Sequence, residues 1–361
     1  MIYLDYQATT PLAPEARAAM LEWLAGPDDP QARYANPHSS HRAGRAAKAA
    51  VEAAREAVAA LLPPGGRVVF TAGATEALNL AIQGCGAKRL AVSAIEHAAV
   101  LDTARAVDRA TAILPVDRDG LVARDAAIPA GTGLVAVMQV NNEIGTVQPV
   151  AELAERAHAA GALFLCDAVQ GAGKLVAPEG ADMVAISAHK LHGPKGIGAL
   201  WLRAGLDLAP LVHGGGQEGG LRSGTLSPAL CAGFGAAARL CAARGQAEVE
   251  HVDNLWEEAR RRFAGWTLNG SASARWKGNL NVRRDGLDVA RLISEVRDVA
   301  FSAGSACASG SGRPSHVLAA LGLSTAEARS SIRLGFGRYT TCDDLAQAAE
   351  KIDFAVAAQG L

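Results

Sequence analysis

The sequence predicts an α/β fold in which helices cover both faces of a largely parallel sheet. Short runs rich in Val, Ile and Leu alternate with Ala-rich amphipathic stretches from residue 11 to about residue 203. The strand-like runs are apolar at nearly every position, so both of their faces must be covered. The 361 residues are 50% hydrophobic but only 4% aromatic, with 39 glycines. That composition is typical of α/β enzymes.

The period of the apolar residues separates the predicted strands from the predicted helices. In the first part of the chain the predicted strands are residues 67–70, 90–93, 134–139, 163–166, 183–186 and 199–202. The predicted helices there are residues 14–24, 44–62, 75–84, 98–108, 150–160 and 228–250. The last of these continues as a long Ala-rich helix to about Arg262, with a break expected at Gly245.

After residue 250 the pattern changes to short elements that predict a smaller α+β unit. The predicted strands are at residues 268, 278–282 and 299–302, and the predicted helices are residues 287–295, 315–321 and 343–357. We therefore expect a large α/β domain over residues 12–250. Residues 1–11 and 251–361 would form the small α+β domain, with a reactive loop at about 302–313.

Charge and cysteine usage exclude several classes of protein. Lys plus Arg number 35 and Asp plus Glu number 36, a net charge of −1, so no nucleic acid is expected as a direct partner. No apolar run approaches the ~18–20 residues that cross a bilayer, and the first residues do not form a secretory signal. The six cysteines show no spacing typical of a zinc site or a disulfide framework. These features predict a soluble, cytoplasmic protein that does not bind a membrane or a resident metal.

Residues that can bind or react follow four of the predicted strands, where ligands bind in doubly wound sheets. Gly73 and Thr75 precede a helix whose free N–H groups can hold an anion, with Thr75 as a good N-cap. Asp167 follows a buried strand, where a carboxylate needs a cation, a metal or a helix terminus as its partner. Lys190 can act as a Schiff-base amine. His97 can stack on a flat ligand or move protons.

Each of these features also has an ordinary structural explanation. A turn Thr or a strand-end Asp often caps a helix, a loop lysine is usually solvated, and Lys195 is a second candidate amine in the same loop. Together, however, they meet the needs of pyridoxal phosphate: an anion site, a carboxylate for the ring nitrogen, a lysine, and a donor such as Gln170 for the phenolate oxygen. The motifs of nicotinamide enzymes and P-loop enzymes are missing from the sequence.

Two residues of the second part of the chain complete the candidate site. Cys307 lies among Gly, Ser and Ala, which offer little packing, so it is predicted to be a reachable nucleophile. Arg333 can clamp a substrate carboxylate, although a helix-capping arginine is the alternative. The remaining cysteines are predicted to be small packing residues: Cys85, Cys166, Cys231, Cys241 and Cys342.

The motifs occur in an order that is highly specific. They include Tyr3-Leu-Asp-Tyr-Gln-Ala-Thr-Thr-Pro11, Glu96-His97, Asp167-Ala-Val-Gln170, Ser187-Ala-His-Lys190 and Ser302-Ala-Gly-Ser-Ala-Cys307. With these motifs the chain resembles, from end to end, the cysteine desulfurases of the NifS/IscS branch of the class V, fold-type I pyridoxal phosphate enzymes. The resemblance implies a mostly parallel seven-stranded sheet sandwiched by helices, as in aspartate aminotransferase, and a smaller α+β domain.

The resemblance also implies a role for each site residue. Lys190 would hold the cofactor, Asp167 would pair with the ring nitrogen, and His97 would stack on the ring. The phosphate ligands would be Ala74, Thr75, Ser187, His189 and, from the partner of a homodimer, Thr225. Gln170 and Asn142 would contact the phenolate oxygen, and Asn142 and Arg333 the substrate carboxylate.

The implied activity is removal of sulfur from L-cysteine, giving L-alanine and a persulfide on Cys307. The sulfur would pass to an acceptor protein such as an iron–sulfur scaffold, or to thio-cofactor synthesis or tRNA thiolation. Any contact with iron–sulfur centres would be transient and made through Cys307. The alternatives are a selenocysteine lyase or another class V enzyme and, from a different class, a non-catalytic sulfur-carrier or scaffold subunit.

Overall fold

A seven-stranded sheet lies at the centre of the larger part of the chain in the computed structural model, which describes residues 1–107, 109–304 and 315–361. Its strands, in spatial order, are β2 (Gly66–Thr71), β8 (Gly198–Arg203), β7 (Met183–Ser187), β6 (Leu163–Asp167), β5 (Leu134–Met138), β3 (Arg89–Ser93) and β4 (Ala110–Leu114). Strand β8 is antiparallel to both of its neighbours, whereas the pairs from β7 to β4 are parallel.

Helices pack on both faces of this sheet. They are α1 (Pro14–Leu21), α2 (Arg42–Ala59), α3 (Ala74–Gly84), α4 (Ala98–Ala106), α5 (Val150–Ala159) and α6 (Pro228–Arg262). Successive strand residues enter different cores: Val137 and Phe164 pack with α2, α5 and α6, whereas Ala136 and Leu165 pack with α3 and α4. This alternation confirms the prediction that both faces are covered, because every residue of β5 is buried.

A second group of elements has its own hydrophobic core. One sheet pairs β1 (Ile2–Tyr3) with β11 (Val299–Ala300), and another has the order β12 (Ser302–Ala303), β13 (Ser331–Gly335), β10 (Asn279–Arg283), β9 (Thr267–Leu268). The helices are α7 (Val289–Glu295), α8 (His316–Ala320), α9 (Thr325–Arg329) and α10 (Cys342–Ala357). Leu4 packs in the same core, so the first residues of the chain belong with the last ones.

The long helix α6 connects these two groups and is broken as predicted. Gly245 has φ 32° and ψ −114°, a conformation outside the helical region, in the middle of the 35-residue helix. Before the break α6 packs in the core of the large sheet through Phe234, and after it through Leu255 in the core of the smaller group.

Several details differ from the sequence-based expectations. Strands β4 and β13 and helix α9 were not predicted, and the single strand expected at 299–302 is two short strands in different sheets. The prediction that Cys342 is a packing residue is wrong, because it is exposed at the start of α10, and Cys85 is only partly buried. Among the described residues, no helix combines the length and apolar character needed to cross a bilayer.

Candidate active site

A cavity of about 580 Å³ opens where β2, β6 and β7 end. It brings together all of the predicted site residues except Thr225 and Cys307: Ala74, Thr75, His97, Asn142, Asp167, Gln170, Ser187, His189, Lys190 and Arg333. Gln7, Ala8 and Thr9 of the N-terminal segment also line this cavity, although no role was predicted for them. The tertiary fold therefore brings together, in one cavity, residues from elements that are distant in sequence.

The start of helix α3 forms one wall of the cavity. The helix begins at Ala74, and Gly73 is its N-cap, so the prediction that Thr75 is the N-cap is wrong. No side chain in the described part of the chain caps α3, which leaves its first N–H groups available for an anion. A Cβ at Gly198 would lie 2.7 Å from the backbone of Gly73, so the close approach of β8 to this turn requires glycine there.

Lys190 is the better placed of the two candidate amines. It lies in a short 3-10 helix, Ala188–Lys190, directly after β7. Its Nζ donates hydrogen bonds to the carbonyl oxygens of Gln7 at 2.5 Å and Ala8 at 2.7 Å. Lys195 also lines the cavity but is exposed. The hydrogen bonds hold the Lys190 amine inside the cavity, close to the end of the strand that carries it.

Asp167 is the last residue of β6 and is 6% exposed. Its Oδ1 accepts a hydrogen bond from the backbone N–H of Val169 at 3.0 Å. Burial raises the pKa of the Asp167 carboxyl, while the nearby His97 and Lys190 act in the opposite direction. A buried carboxylate with little local compensation is suited to a cationic group of a ligand.

Two histidines contribute their rings to the cavity walls. His97 is the N-cap of α4, and its Nδ1 accepts a hydrogen bond from the N–H of Ala99 at 3.1 Å, so the neutral ring carries its proton on Nε2. Burial, together with the charges of Lys190 and Lys195, lowers the pKa of His189 to about 4. His189 also contacts the Thr9 hydroxyl, with 3.2 Å between Nδ1 and Oγ1.

Gln170 and Asn142 lie near the N-terminal segment and the arginine, respectively. Nε2 of Gln170 donates to the carbonyl oxygen of Gln7 at 2.9 Å. Oε1 of the same amide is buried without a hydrogen-bond partner in the described part of the chain. The carbonyl oxygen of Asn142 accepts a hydrogen bond from Nη1 of Arg333 at 3.1 Å.

Arg333 is buried in the middle of β13, with no exposed surface. Its Nη2 donates to Oδ1 of Asp5 at 2.7 Å and to the hydroxyl of Ser302 at 3.2 Å. The alternative that Arg333 caps a helix is therefore wrong. Asp5 was not predicted as a site residue. Its partner Arg333 is 328 positions away, so no local sequence pattern indicates the contact.

The two remaining site predictions are not placed in this cavity. Thr225 is exposed and does not line it. Cys307 lies outside the described residues, which resume at Ser315. The flanking residues are close to the cavity wall, since Ser302 contacts Arg333 on one side and His316 contacts the carbonyl oxygen of Glu96 on the other.

Comparison with known proteins defines the class to which this fold and site belong. The Aminotransferase class-V family matches residues 2–347, so the chain belongs to that family. Cysteine desulfurase IscS of Anaeromyxobacter sp. (strain Fw109-5) is 44% identical, covering 95% of this chain and 89% of the relative. A solved NifS-like protein is 28% identical with a TM-score of 0.89, covering 99% of both chains. The structure of SspA in complex with cysteine is 34% identical with a TM-score of 0.80, covering 94% of this chain and all of that one.

Proposed function

We propose that this protein is a pyridoxal phosphate-dependent cysteine desulfurase that produces L-alanine and a persulfide on Cys307. The observation that carries the proposal is the convergence of Lys190, Asp167 and the uncapped start of α3 on one cavity. The near full-length similarity to a cysteine desulfurase supports it, as does the similarity to a protein solved with cysteine.

The chemistry of the cavity fits pyridoxal phosphate. The free N–H groups at the start of α3 suit a phosphate, and the buried Asp167 suits a protonated ring nitrogen. Oε1 of Gln170 is a buried acceptor without a partner in the described residues and Nε2 bonds to Gln7, so the side-chain amide would have to turn for Nε2 to donate to the phenolate oxygen. When bound, this cofactor supplies an electron sink for the carbon from which a proton is removed.

The residues of the chain then divide the work. Lys190 would carry the cofactor on Nζ and afterwards take the proton from Cα of L-cysteine. His97, with its ring proton on Nε2, would stack on the ring and move protons. Arg333 would hold the substrate carboxylate, with Asn142 beside it. The thiolate of Cys307 would attack the substrate sulfur as the bond from that sulfur to Cβ breaks, and the carbon skeleton would leave as alanine after protonation at Cβ and at Cα.

Three alternative functions make different predictions. A selenocysteine lyase would prefer the selenium analogue of the substrate. Another class V enzyme, such as a transaminase, would have no use for a nucleophilic thiol. A non-catalytic sulfur carrier would need neither Lys190 nor Asp167, yet both lie in the cavity. The positions of these two residues favour a catalyst.

The test of this proposal is the conversion of L-cysteine in the presence of a thiol reductant. We expect sulfide and alanine in equal amounts. Cys307→Ala should abolish sulfide release, and Lys190→Ala should lower kcat by at least about 10³-fold, because it removes both the covalent attachment and the proton acceptor. Both products should be quantified from the same reaction.

Cys342→Ala is the matched control, because Cys342 is an exposed thiol outside the cavity. We expect it to keep the activity of the unsubstituted protein. Pyruvate in place of alanine, or sulfide release undiminished in Cys307→Ala, would contradict the persulfide mechanism. Higher turnover of L-selenocysteine that does not depend on Cys307 would favour the lyase.

The remaining features of the proposal concern assembly. We propose a homodimer in which Thr225, exposed in the single chain, reaches the phosphate in the partner's cavity. Two domains, residues 12–250 and residues 1–11 with 251–361, agree with the two separate groups of hydrophobic cores. The persulfide sulfur would pass to an acceptor protein such as an iron–sulfur scaffold, and a cytoplasmic location is the expectation from the sequence.

A further inference from the structure

The guanidinium of Arg333 has a specific set of hydrogen bonds that limits how it can bind a substrate. Its Nη2 donates to Oδ1 of Asp5 at 2.7 Å and to Oγ of Ser302 at 3.2 Å, two acceptors that lie 2.9 Å from each other. One hydrogen on Nη1 is used by the carbonyl oxygen of Asn142. The other Nη1 hydrogen has no acceptor among the bonds described, and Nε is buried without a partner there. Arg333 therefore has unused donors on Nη1 and Nε, whereas Nη2 already bonds to two acceptors.

A carboxylate that binds an arginine through two parallel hydrogen bonds needs two N–H groups on the same edge of the guanidinium. Each such edge includes Nη2, because Cδ occupies the third edge. A substrate carboxylate held by two bonds therefore competes with Asp5 and Ser302 at Nη2. The Asp5 bond is shorter and charge-assisted, so the Ser302 bond is the one that yields.

Asp5 is held firmly enough to direct the arginine. Its backbone lies beside the end of β13, where Gly335 bonds to both neighbours of Asp5. The Gly335 N–H donates to the carbonyl oxygen of Leu4 at 2.7 Å, and the Gly335 carbonyl oxygen accepts from the N–H of Tyr6 at 3.3 Å. Ser302 donates from its hydroxyl to Oδ1 of Asp5 at 2.9 Å. Oδ1 of Asp5 therefore accepts hydrogen bonds from both Arg333 and Ser302 and orients both side chains.

We propose that Asp5 is a positioning residue for the substrate carboxylate: it holds one hydrogen of Nη2, so that Arg333 offers its other donors in one orientation. The proposal rests on the proposed function, in which Arg333 binds that carboxylate. Ser302 gives up its bond to Nη2 when the substrate binds and keeps its bond to Asp5. The ligand recognised in this way is an α-amino acid, whose amine would react at the cofactor held by Lys190 in the same cavity.

Removal of Asp5 has two opposite effects on the substrate. Loss of the hydrogen bond frees the guanidinium to turn, which weakens carboxylate binding. Loss of the negative charge removes repulsion between two carboxylates on one arginine, which strengthens it. Because Asp5 orients Ser302 as well as Arg333, removing its side chain leaves both of these groups without their shared acceptor, and we expect the loss of orientation to dominate.

The experiment compares Asp5→Ala, which removes charge and acceptor, with Asp5→Asn, which keeps an acceptor oxygen without the charge. In Asp5→Ala holoenzyme we expect KM for L-cysteine to rise about tenfold, and in Asp5→Asn by about threefold or less. In both variants kcat should change by less than about threefold, since no reacting atom contacts Asp5. Binding of 2-aminoethanethiol, which has the amine and thiol of cysteine but no carboxylate, should be unchanged.

Asp298→Asn is the matched control, because Asp298 is 58% exposed and pairs with Lys351 on the surface. Equal weakening of L-cysteine and 2-aminoethanethiol would assign Asp5 a general structural role and overturn the proposal. A lower or unchanged KM in both variants would also overturn it, the lower value identifying Asp5 as a competitor of the substrate. Binding of L-alanine distinguishes failure of the Asp5 proposal from failure of the proposed function. The affinity for L-alanine reports on Asp5 even if the unsubstituted protein releases no sulfide. Absence of sulfide release would refute only the desulfurase activity.

Discussion

Glu96, next to the site histidine, is a fully buried carboxyl. Its Oε1 accepts hydrogen bonds from the Ser93 hydroxyl at 2.5 Å and from the N–H of Met138 at 2.8 Å, whereas Oε2 has no partner in the described residues. Burial is the main cause that raises the pKa of Glu96 from 4.5 to about 8. The folded protein therefore keeps a proton on Glu96 at neutral pH that the unfolded chain releases.

This proton makes stability depend on pH with a definite sign. Between pH 4.5 and about 8 the folded state binds more protons at Glu96 than the unfolded state, so the contribution of Glu96 to stability falls as pH rises. Glu96→Gln keeps an acceptor oxygen and does not titrate. We expect its free energy of unfolding, relative to the unsubstituted protein, to rise by about 1.4 kcal/mol per pH unit across this window, to roughly 3–5 kcal/mol above it.

Urea unfolding at several pH values from about 5 to about 9 measures this difference. Glu155→Gln on α5 is the control, because Glu155 is exposed and its substitution should change the free energy of unfolding by less than about 0.5 kcal/mol. A difference between Glu96→Gln and the unsubstituted protein that stays constant over this range would contradict the prediction.

Individual site residues could be predicted from the sequence where a local signal exists. Asp167 and Lys190 follow strands made of apolar residues, and the crevice rule for doubly wound sheets places such residues together. Asp5 has no such signal, because its position depends on the pairing of the first residues with β13. The N-cap of α3 was misplaced because Thr is a common capping residue, whereas the helix begins one residue earlier with Gly73 as its N-cap.

At the scale of elements, one ion pair attaches the glycine-rich segment 213–224 to the large sheet. Glu218 makes two hydrogen bonds to Arg55 on α2, at 2.7 and 2.8 Å, and accepts a third from the N–H of Phe70 at 2.7 Å. The Glu218 side chain is 2% exposed. Its backbone has φ +52°, a strained conformation for a residue with a side chain, which these contacts maintain.

We expect Glu218→Ala to lower the free energy of unfolding by roughly 2–4 kcal/mol, because it removes two hydrogen bonds from Arg55 and leaves the N–H of Phe70 without its acceptor. Asp102→Ala is the control, since it breaks the exposed pair with Arg105, and should cost less than about 0.5 kcal/mol. Chemical denaturation of both variants measures the two costs. Similar values would show that the buried pair does not anchor the segment.

Two strands that the sequence did not predict, β4 and β13, both lack the residue pattern of a buried apolar strand. Strand β4 lies at the edge of the sheet with Ile113 55% exposed, so its pattern lacks the continuous burial of the other strands. Strand β13 buries Ser331 and Arg333, two polar residues that argue against a core strand when read alone. Their burial is explained by hydrogen bonds to distant residues, which no local pattern contains.

At the scale of the whole molecule, the two groups of cores share one helix and the cavity takes residues from both. Arg333 comes from the smaller group, and Lys190 and Asp167 come from the larger one. The direction of α6 on either side of Gly245 therefore affects how the two walls of the cavity are spaced. A kink with an identified cause, rather than general flexibility, determines this direction.

The conformation of Gly245 is one that residues with a Cβ rarely adopt, and no atom lies within 4 Å of the position of a Cβ there. The cost of Gly245→Ala is therefore conformational rather than steric, and we expect the free energy of unfolding to fall by roughly 1–3 kcal/mol. Gly265→Ala, just beyond α6, also meets open space but has no left-handed φ, so it should be neutral or stabilise by up to about 1 kcal/mol. Because the kink orients one wall of the cavity relative to the other, Gly245→Ala should also raise KM for L-cysteine while Gly265→Ala leaves it unchanged. Equal stabilities and equal KM values for the two variants would show that α6 tolerates a straight path and that the kink does not set the cavity.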